Sequence, residues 1–431
     1  MLSVFRGGFS PEAAEAITGG EASQGLPRLV AASMVQIERG DSQTAPRYRM
    51  LDVVRTCMAS ELAAREDEQE VAEIARTAWI THLANQWHPG MPITDLTAWL
   101  DALEREIDNL RGAIAWCLQQ RSTAAGMALI SKVGRFWDLR DHLVEGLLWL
   151  ERLLIRAEEL QEPVDPMVWY WAGTLAVPLG RIELTEAMGL RLLARGREAS
   201  EVMTLARGAT LLSVVRSEQA RDGEAVELAQ QGLAALGPDA AQASAEIAMV
   251  RSRLLNRLGV AEQTRAARSG DKTALASAAD AYQRAAELSR LVNDESGVLN
   301  AIAGLGACAL MAGHTDDAIA HFREGVPIAV NGGHWWYAWL QLHGLAEALL
   351  RSDRPESAAV VLGIARTIGE QWRFTPYAFW DEIAGSTEGV LRRTIGDART
   401  EALVADGRRR ARKGMRHAAL AAVAVADGPG A

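Results

Sequence analysis

The chain has 431 residues, of which 49% are hydrophobic, and a formal net charge of −10 from 45 basic and 55 acidic side chains. The hydrophobic content excludes general disorder, the length exceeds one ordinary core so that several units or one elongated array is expected, and the acidic balance weighs against a chain dedicated to nucleic acid. Cys57, Cys117 and Cys308 are odd in number, far apart and without C-x2-C spacing, which predicts buried free thiols in a reducing cytoplasm.

No run approaches the roughly 18 apolar residues of a membrane span, and the opening "MLSVFRGGF" is too short and too glycine-broken for a secretory signal. A cytoplasmic chain without membrane contact is expected. Period-2 alternation is confined to one short region, so the class is all-α.

In chain order, "SPEAAEAI" (10–17) is a short helix with Ser10 as N-cap and Pro11 at its first position, and "LPRLVAAS" (26–33) is another. "MVQIER" and "RYRML" alternate around the turn-rich "GDSQTAP", a β-hairpin signal, and the helix "DVVRTCMASELAARE" follows. Residues 1–66 therefore form a small winged-helix-like unit that begins late, since "LSVF" has no preceding helix to pack on. Residues 67–120 are linking helices. The second, "LTAWLDALEREIDNLRGAIAWCLQQ", is continuous and places Leu103, Ile107, Leu110, Ile114 and Cys117 on one stripe, with Glu104, Glu106, Asp108 and Arg111 elsewhere on a surface helix.

Residues 121–375 form the repeat array. The pattern small-x3-bulky-x2-small recurs as Ala278/Tyr282/Ala285, Ala318/Phe322/Gly325 and Ala358/Leu362/Ala365, each 40 residues after the last. That period, built from paired helices, belongs to tetratricopeptide-like solenoids, in which each unit must stack on its neighbours. In the middle unit Ile302, Leu305, Gly306 and Ala309 mark a first helix, Gly313 a turn, and Phe322 fills the gap to the next pair. Weaker echoes are Ala225/Ala229/Gly232 and Gly146/Leu150/Leu153, with a degenerate pair around 179–193. The longer step from Ala225 to Ala278 is assigned to a polar inter-helix loop, "RAARSGDKT" (265–273). Residues 376–431 supply a helical cap with a basic run, fraying over its last few residues.

Five segments, "LSVFRGGFSPEAAEAI", "YRMLDVVRTCMASELA", "WLDALEREIDNLRGAIAWCL", "GRFWDLRDHLVEGLLWLERLL" and "DRPESAAVVLGIARTIGEQ", occur in one order across nearly the whole chain. Together they resemble the C-terminal part of AfsR/MalT-like (LuxR-type) regulators of the STAND class of signal-transduction ATPases. The resemblance implies the end of a winged helix followed by a right-handed α-solenoid of tetratricopeptide-like pairs that senses an effector or partner. Three departures accompany it. There is no G-x-x-x-x-G-K-[ST]; the nearest approach, Gly270-Asp271-Lys272-Thr273, lacks the adjacent Gly-Lys and a preceding strand, so no nucleotide cofactor is expected. Met1 falls inside what would be the winged helix, and no helix-turn-helix follows residue 420.

The densest aromatic cluster is "HWWYAWLQLH", with His334, Trp335, Trp336, Tyr337, Trp339 and His343. Its 335/336/339/343 stripe suits the core of a first helix, and the functional alternative is a ligand platform on the concave surface. Trp169, Tyr170 and Trp171 are read as a helix core. Arg135, Asp138, Arg140, Asp141, His142 and Glu145 are read as a solvated helix end laced with ion pairs. His82 and His88 fall on opposite helix faces, no histidine set has zinc spacing, and no nucleophile motif is present, so no active site and no metal are named. The basic run Arg408, Arg409, Arg410, Arg412, Lys413 and Arg416 is either a solvated face or a contact for nucleic acid or an acidic partner.

The expectation is a non-enzymatic sensor region. Its partners would be a protein or an ATPase module, with a small effector and without DNA contact of its own. The alternative is a stand-alone tetratricopeptide adaptor with no transcriptional role.

Overall fold

In the computed structural model, residues 1–38, 46–237, 244–372, 374 and 378–425 are described. They contain 21 α-helices and one two-stranded sheet, an all-α architecture as expected. The turn between the expected hairpin strands and the final residues lie outside them. The chain divides into two compact units: residues 1–88, 92–136 and 148–168, and residues 89–91, 137–147 and 169–431.

The first unit opens with a 3-10 turn, Leu2–Val4, then α1 (Pro11–Thr18), α2 (Ala22–Ala31), strands β1 (Val35–Glu38) and β2 (Arg47–Met50), and α3 (Asp52–Ala63). The Ser10 hydroxyl accepts the Ala13 N–H at 3.1 Å, capping α1 as predicted. Strands β1 and β2 pair antiparallel, and Phe9 exchanges both backbone hydrogen bonds with Tyr48. With no helix before it, the "LSVF" start is nevertheless covered: Val4 and Phe5 sit in a core with Ile17, Leu26 and Leu62. The cover comes from elements that follow it, including α4 (Glu66–Ala84), whose Arg76 donates to the Val4 carbonyl at 2.7 Å.

The helix expected over 96–120 is broken into α5 (Ile93–Arg105) and α6 (Ile107–Cys117). The break falls at Glu106, which is buried rather than solvated because a tertiary partner claims its carboxylate: Oε1 accepts from Arg47 at 2.5 Å and Oε2 from Asn109 at 2.6 Å. Asn109, with no exposure, also accepts the Arg6 N–H and donates to the Gly8 carbonyl, both at 2.8 Å. Helix α4 ends at Ala84, so His88 lies past it and does not share a helix with His82. Cys117 and Cys308 are buried, but Cys57 on α3 is exposed, a correction to the expectation of three buried thiols.

Helices α7 (Ala124–Leu139), α8 (Leu143–Leu160) and α9 (Pro166–Ala176) contribute to both units. The second unit continues with α10 (Ile182–Glu198), α11 (Val202–Glu218), α12 (Asp222–Leu236), α13 (Ala245–Ser269), α14 (Lys272–Leu291), α15 (Glu295–Ala312), α16 (Thr315–Gly332), α17 (Trp335–Arg351) and α18 (Pro355–Trp372). These are pairs in which each helix packs on the next, while the first helices α11, α13, α15 and α17 also contact one another in series. Helix α15 is long and apolar enough to meet the composition of a membrane span, but 67% of that stretch is buried among its neighbours.

The 40-residue seam is built as the sequence implies. Phe322 of α16 has no exposure and lies between Gly306 of its own pair and Gly344 of the next; a Cβ at 306 would come within 2.6 Å of its ring, and one at 344 closer still. Tyr282 of α14 is held in the same way between Gly259 and Gly304. The pair expected to be degenerate is well formed. Gly189 and Gly196 of α10 lie against Leu212 and Leu205 of α11, and Thr185 hides its hydroxyl on the Gly173 and Arg181 carbonyls.

No long loop spans 265–273. Helix α13 runs 25 residues to Ser269, Gly270 terminates it at φ +69°, and Asp271 caps α14 by accepting the Thr273 N–H at 2.8 Å. The extra length is helical because the polar residues of "RAARS" fit an exposed helix end as well as a loop, and the Gly-Asp pair gives one helix its stop and the next its start.

Helices α19 (Ala378–Ile395), α20 (Asp397–Lys413) and α21 (Met415–Val425) cover the end of the array, packing on α16, α17 and α18. The crossing of α18 and α20 is so close that a Cβ at Gly363 or at Gly407 would strike the partner's backbone.

Glycine substitutions should separate by site. Gly344→Val should destabilise the array by at least about 1–3 kcal/mol, because the Phe322 ring occupies the added volume. Gly223→Ala, at an exposed position of α12 with open space around it, should be neutral or stabilise by up to roughly 1 kcal/mol. Urea unfolding curves compare the two directly.

Candidate functional site

The first helices of successive pairs line a cavity of about 90 Å³ within the second unit. Helix α9 contributes Tyr170 and Thr174, α11 contributes Leu211 and Val214, and α13 contributes Arg253, Asn256 and Arg257. Helix α15 adds Asn300, α17 adds Trp336 and Tyr337, the end of α7 adds Asp138, and the turn between α7 and α8 adds Asp141. A second cavity of about 50 Å³ adjoins it and shares Val214, Arg257 and Asn300. The two form one groove along the inner helices.

Its polar groups differ in how far they are satisfied. Arg253 hydrogen-bonds the Tyr170 hydroxyl and lies 3.7 Å from Asp294, which is fully buried. Burial works against the Arg253 charge, but Tyr170, Asp294 and Asp138 outweigh it and hold the guanidinium above its ordinary pKa. Asp141, at φ +54°, accepts the Trp335 N–H at 2.9 Å and so ties the first turn of α17 to the α7–α8 turn. Burial pushes its carboxyl well above the usual range; the Trp335 bond opposes this and Asp138 adds to it. Arg257, one helical turn from Arg253, has no hydrogen bond or ion pair with any described residue. Asn256 is 1% exposed; its amide donates to the Gly297 carbonyl at 3.1 Å and its Oδ1 has no partner.

The aromatic cluster is divided between core and groove. Trp336 and Trp339 are buried 5.2 Å apart, Trp335 stacks on Trp372 at 4.9 Å, and His343 packs edge-on to Trp339 at 5.0 Å. Trp336 and Tyr337 nevertheless reach the cavity wall, as does His334, whose ring bonds Glu295 at 2.9 Å. Tyr170, read from sequence as helix core, is buried and lines the groove at the same time.

The "RFWDLRDHLVEG" stretch is not a solvated helix end. Arg135 is 1% exposed, and Asp138 in the last turn of α7 and Asp141 just beyond it line the cavity. Arg408, Arg409, Arg410, Arg412 and Lys413 lie on α20, away from its buried face of Thr400, Val404, Gly407 and Ala411, and Arg416 lies in the first turn of α21. Arg408 pairs with Glu370, Arg409 and Arg410 with Asp406, and Arg416 bonds Asn331, while Arg412 and Lys413 are exposed at the end of the helix.

Sequence reasoning missed Arg253, Asn256, Arg257 and Asn300. The available signal was two asparagines placed three and four residues before Gly259 and Gly304, the glycines that receive the Tyr282 ring.

Known proteins add two findings. A signal transduction ATPase with numerous domains (STAND) protein with a tetratricopeptide repeat sensor, from Pyrococcus horikoshii, superposes on 99% of this chain with a TM-score of 0.56 and 15% identity, covering 59% of its own length. The fold is shared with that protein. A candidate HTH-type transcriptional regulator of Mycobacterium tuberculosis, and its counterpart in Mycobacterium bovis, are 29% identical over 228 residues, which is 48% of this chain and 25% of theirs. The chain thus spans about a quarter of the length of the curated relatives it matches. No family model matches it.

His343 gives a pH prediction. Burial, reinforced by Arg366, lowers its pKa from 6.5 to about 3, so the unfolded chain takes up a proton between those values that the folded chain refuses. This contribution lowers stability as pH falls from 6.5 towards 3, by up to roughly 1.4 kcal/mol per pH unit. His343→Leu should flatten that acid-side decline in urea midpoints, and an unchanged pH slope would contradict the burial argument.

Proposed function

We propose that this chain is the non-enzymatic sensor region of a bacterial AfsR/MalT-like (LuxR-type) STAND transcriptional regulator. It would be cytoplasmic and would bind its effector in the groove of the inner helices. The observation that carries this reading is the groove itself, to which five successive first helices each bring side chains. Extended recognition surfaces of this kind are what solenoids provide. The helices and hairpin of residues 1–66 would be the end of a winged helix that passes the occupied or empty state to an ATPase module. The shared fold and the regulator relatives support the sensor assignment.

A blocked groove tests it. Asn300 is half-buried and lines both cavities, so Asn300→Trp fills the junction; because Tyr282 and Gly304 line the second cavity too, the variant's fold is checked first by circular dichroism and urea unfolding. Introduced at the chromosomal locus, a folded Asn300→Trp protein should reproduce the transcript changes of a deletion strain or lock the opposite state. A folded variant with wild-type transcripts under every growth condition that separates wild type from deletion would refute the reading.

A further inference from the structure

We propose that the groove takes a compact monocarboxylate with an apolar or aromatic body, and that Arg257 is the group that binds its carboxylate. The inference rests on the sensor reading and adds the chemistry of the effector.

Arg257 and Asn256 carry it. A half-buried guanidinium that meets no carboxylate, hydroxyl or carbonyl is costly unless an anion completes it. Arg257 lies where the two cavities join, with Asn300 of the next inner helix, which likewise makes no hydrogen bond to a described residue. Independently, Asn256 lines the same cavity and has a buried Oδ1 without a partner, an acceptor that calls for a donor. Two polar groups of opposite hydrogen-bonding sense on adjacent residues describe an anion that carries its own donor, such as a hydroxy acid.

The surroundings narrow the class. Arg253 is already engaged by Tyr170 and Asp294, which leaves Arg257 as the guanidinium open to a ligand. Asp138 lines the same cavity and disfavours a doubly charged anion more than a singly charged one. A planar guanidinium fork matches a carboxylate with two parallel N–H donors. Trp336, Tyr337, Leu211 and Val214 line the same cavity and supply apolar surface, and the adjoining volumes of about 90 and 50 Å³, well below the roughly 300–1,000 Å³ of drug-sized pockets, limit the ligand to a very small molecule.

The test uses the full 431-residue chain and three probes: mandelate, its neutral analogue mandelamide, and inorganic phosphate. Binding is read by tryptophan fluorescence, to which Trp336 at the cavity wall responds, and by thermal shift. Mandelate should bind saturably, with mandelamide and phosphate at least tenfold weaker. Arg257→Met, which keeps the aliphatic stem, should weaken mandelate at least tenfold, and Arg257→Lys should retain part of the affinity. No saturable mandelate binding, equal binding of the amide, tighter binding of phosphate, or an undiminished Arg257→Met would each overturn the proposal. If Arg257→Met does not fold, the acid–amide contrast on the wild-type chain and the Lys variant decide. Mandelamide binding without mandelate would remove the carboxylate and leave the sensor reading standing; that reading falls only with the blocked-groove result.

Discussion

The second unit depends on one repeated contact: a bulky side chain from the second helix of a pair seated between a glycine of its own first helix and a glycine of the next. Phe322 between Gly306 and Gly344, and Tyr282 between Gly259 and Gly304, are two instances. Each ring is shared, so neither pair is complete without its neighbour, and the missing Cβ atoms fix how closely the backbones approach. Once that spacing is set, the first helices fall in series and their remaining faces line a common groove.

The groove follows from this division of labour. Small and apolar residues are spent on the seams, and what remains on the inner face is free to be polar. Arg253, Asn256 and Arg257 on α13 and Asn300 on α15 occupy that remainder, as do Asp138 at the end of α7 and Asp141 in the α7–α8 turn. Some of these charges are settled internally, as Arg253 is by Asp294 and Tyr170. The aromatic residues of α17 do both jobs, with Trp339 and His343 in the core and Trp336 and Tyr337 reaching the cavity.

What was legible in the sequence was what repeats. Ala278/Tyr282/Ala285 and its two successors are read easily because size alternation obeys a period, and the Ser10–Pro11 helix start because capping is local. Glu106 was misplaced because stripe arithmetic assigns a glutamate to solvent, whereas its partner Arg47 lies 59 residues away. The pair that contains α10 looked degenerate because its seams use glycines and a threonine whose hydroxyl is bonded to backbone carbonyls. The groove was unreadable for the same reason as Glu106. Arg253 and Tyr170 are 83 residues apart, and Asp141 and Trp335 194, so no local pattern marks them as neighbours.

Hydrogen exchange of a Phe322→Ala protein tests the shared-ring constraint most directly. If Phe322 joins two pairs, protection should fall together in α15, α16 and α17, while residues 1–88 exchange as before. A loss confined to α16 would mean that the ring serves only its own helix, and the stacking account of the array would be wrong.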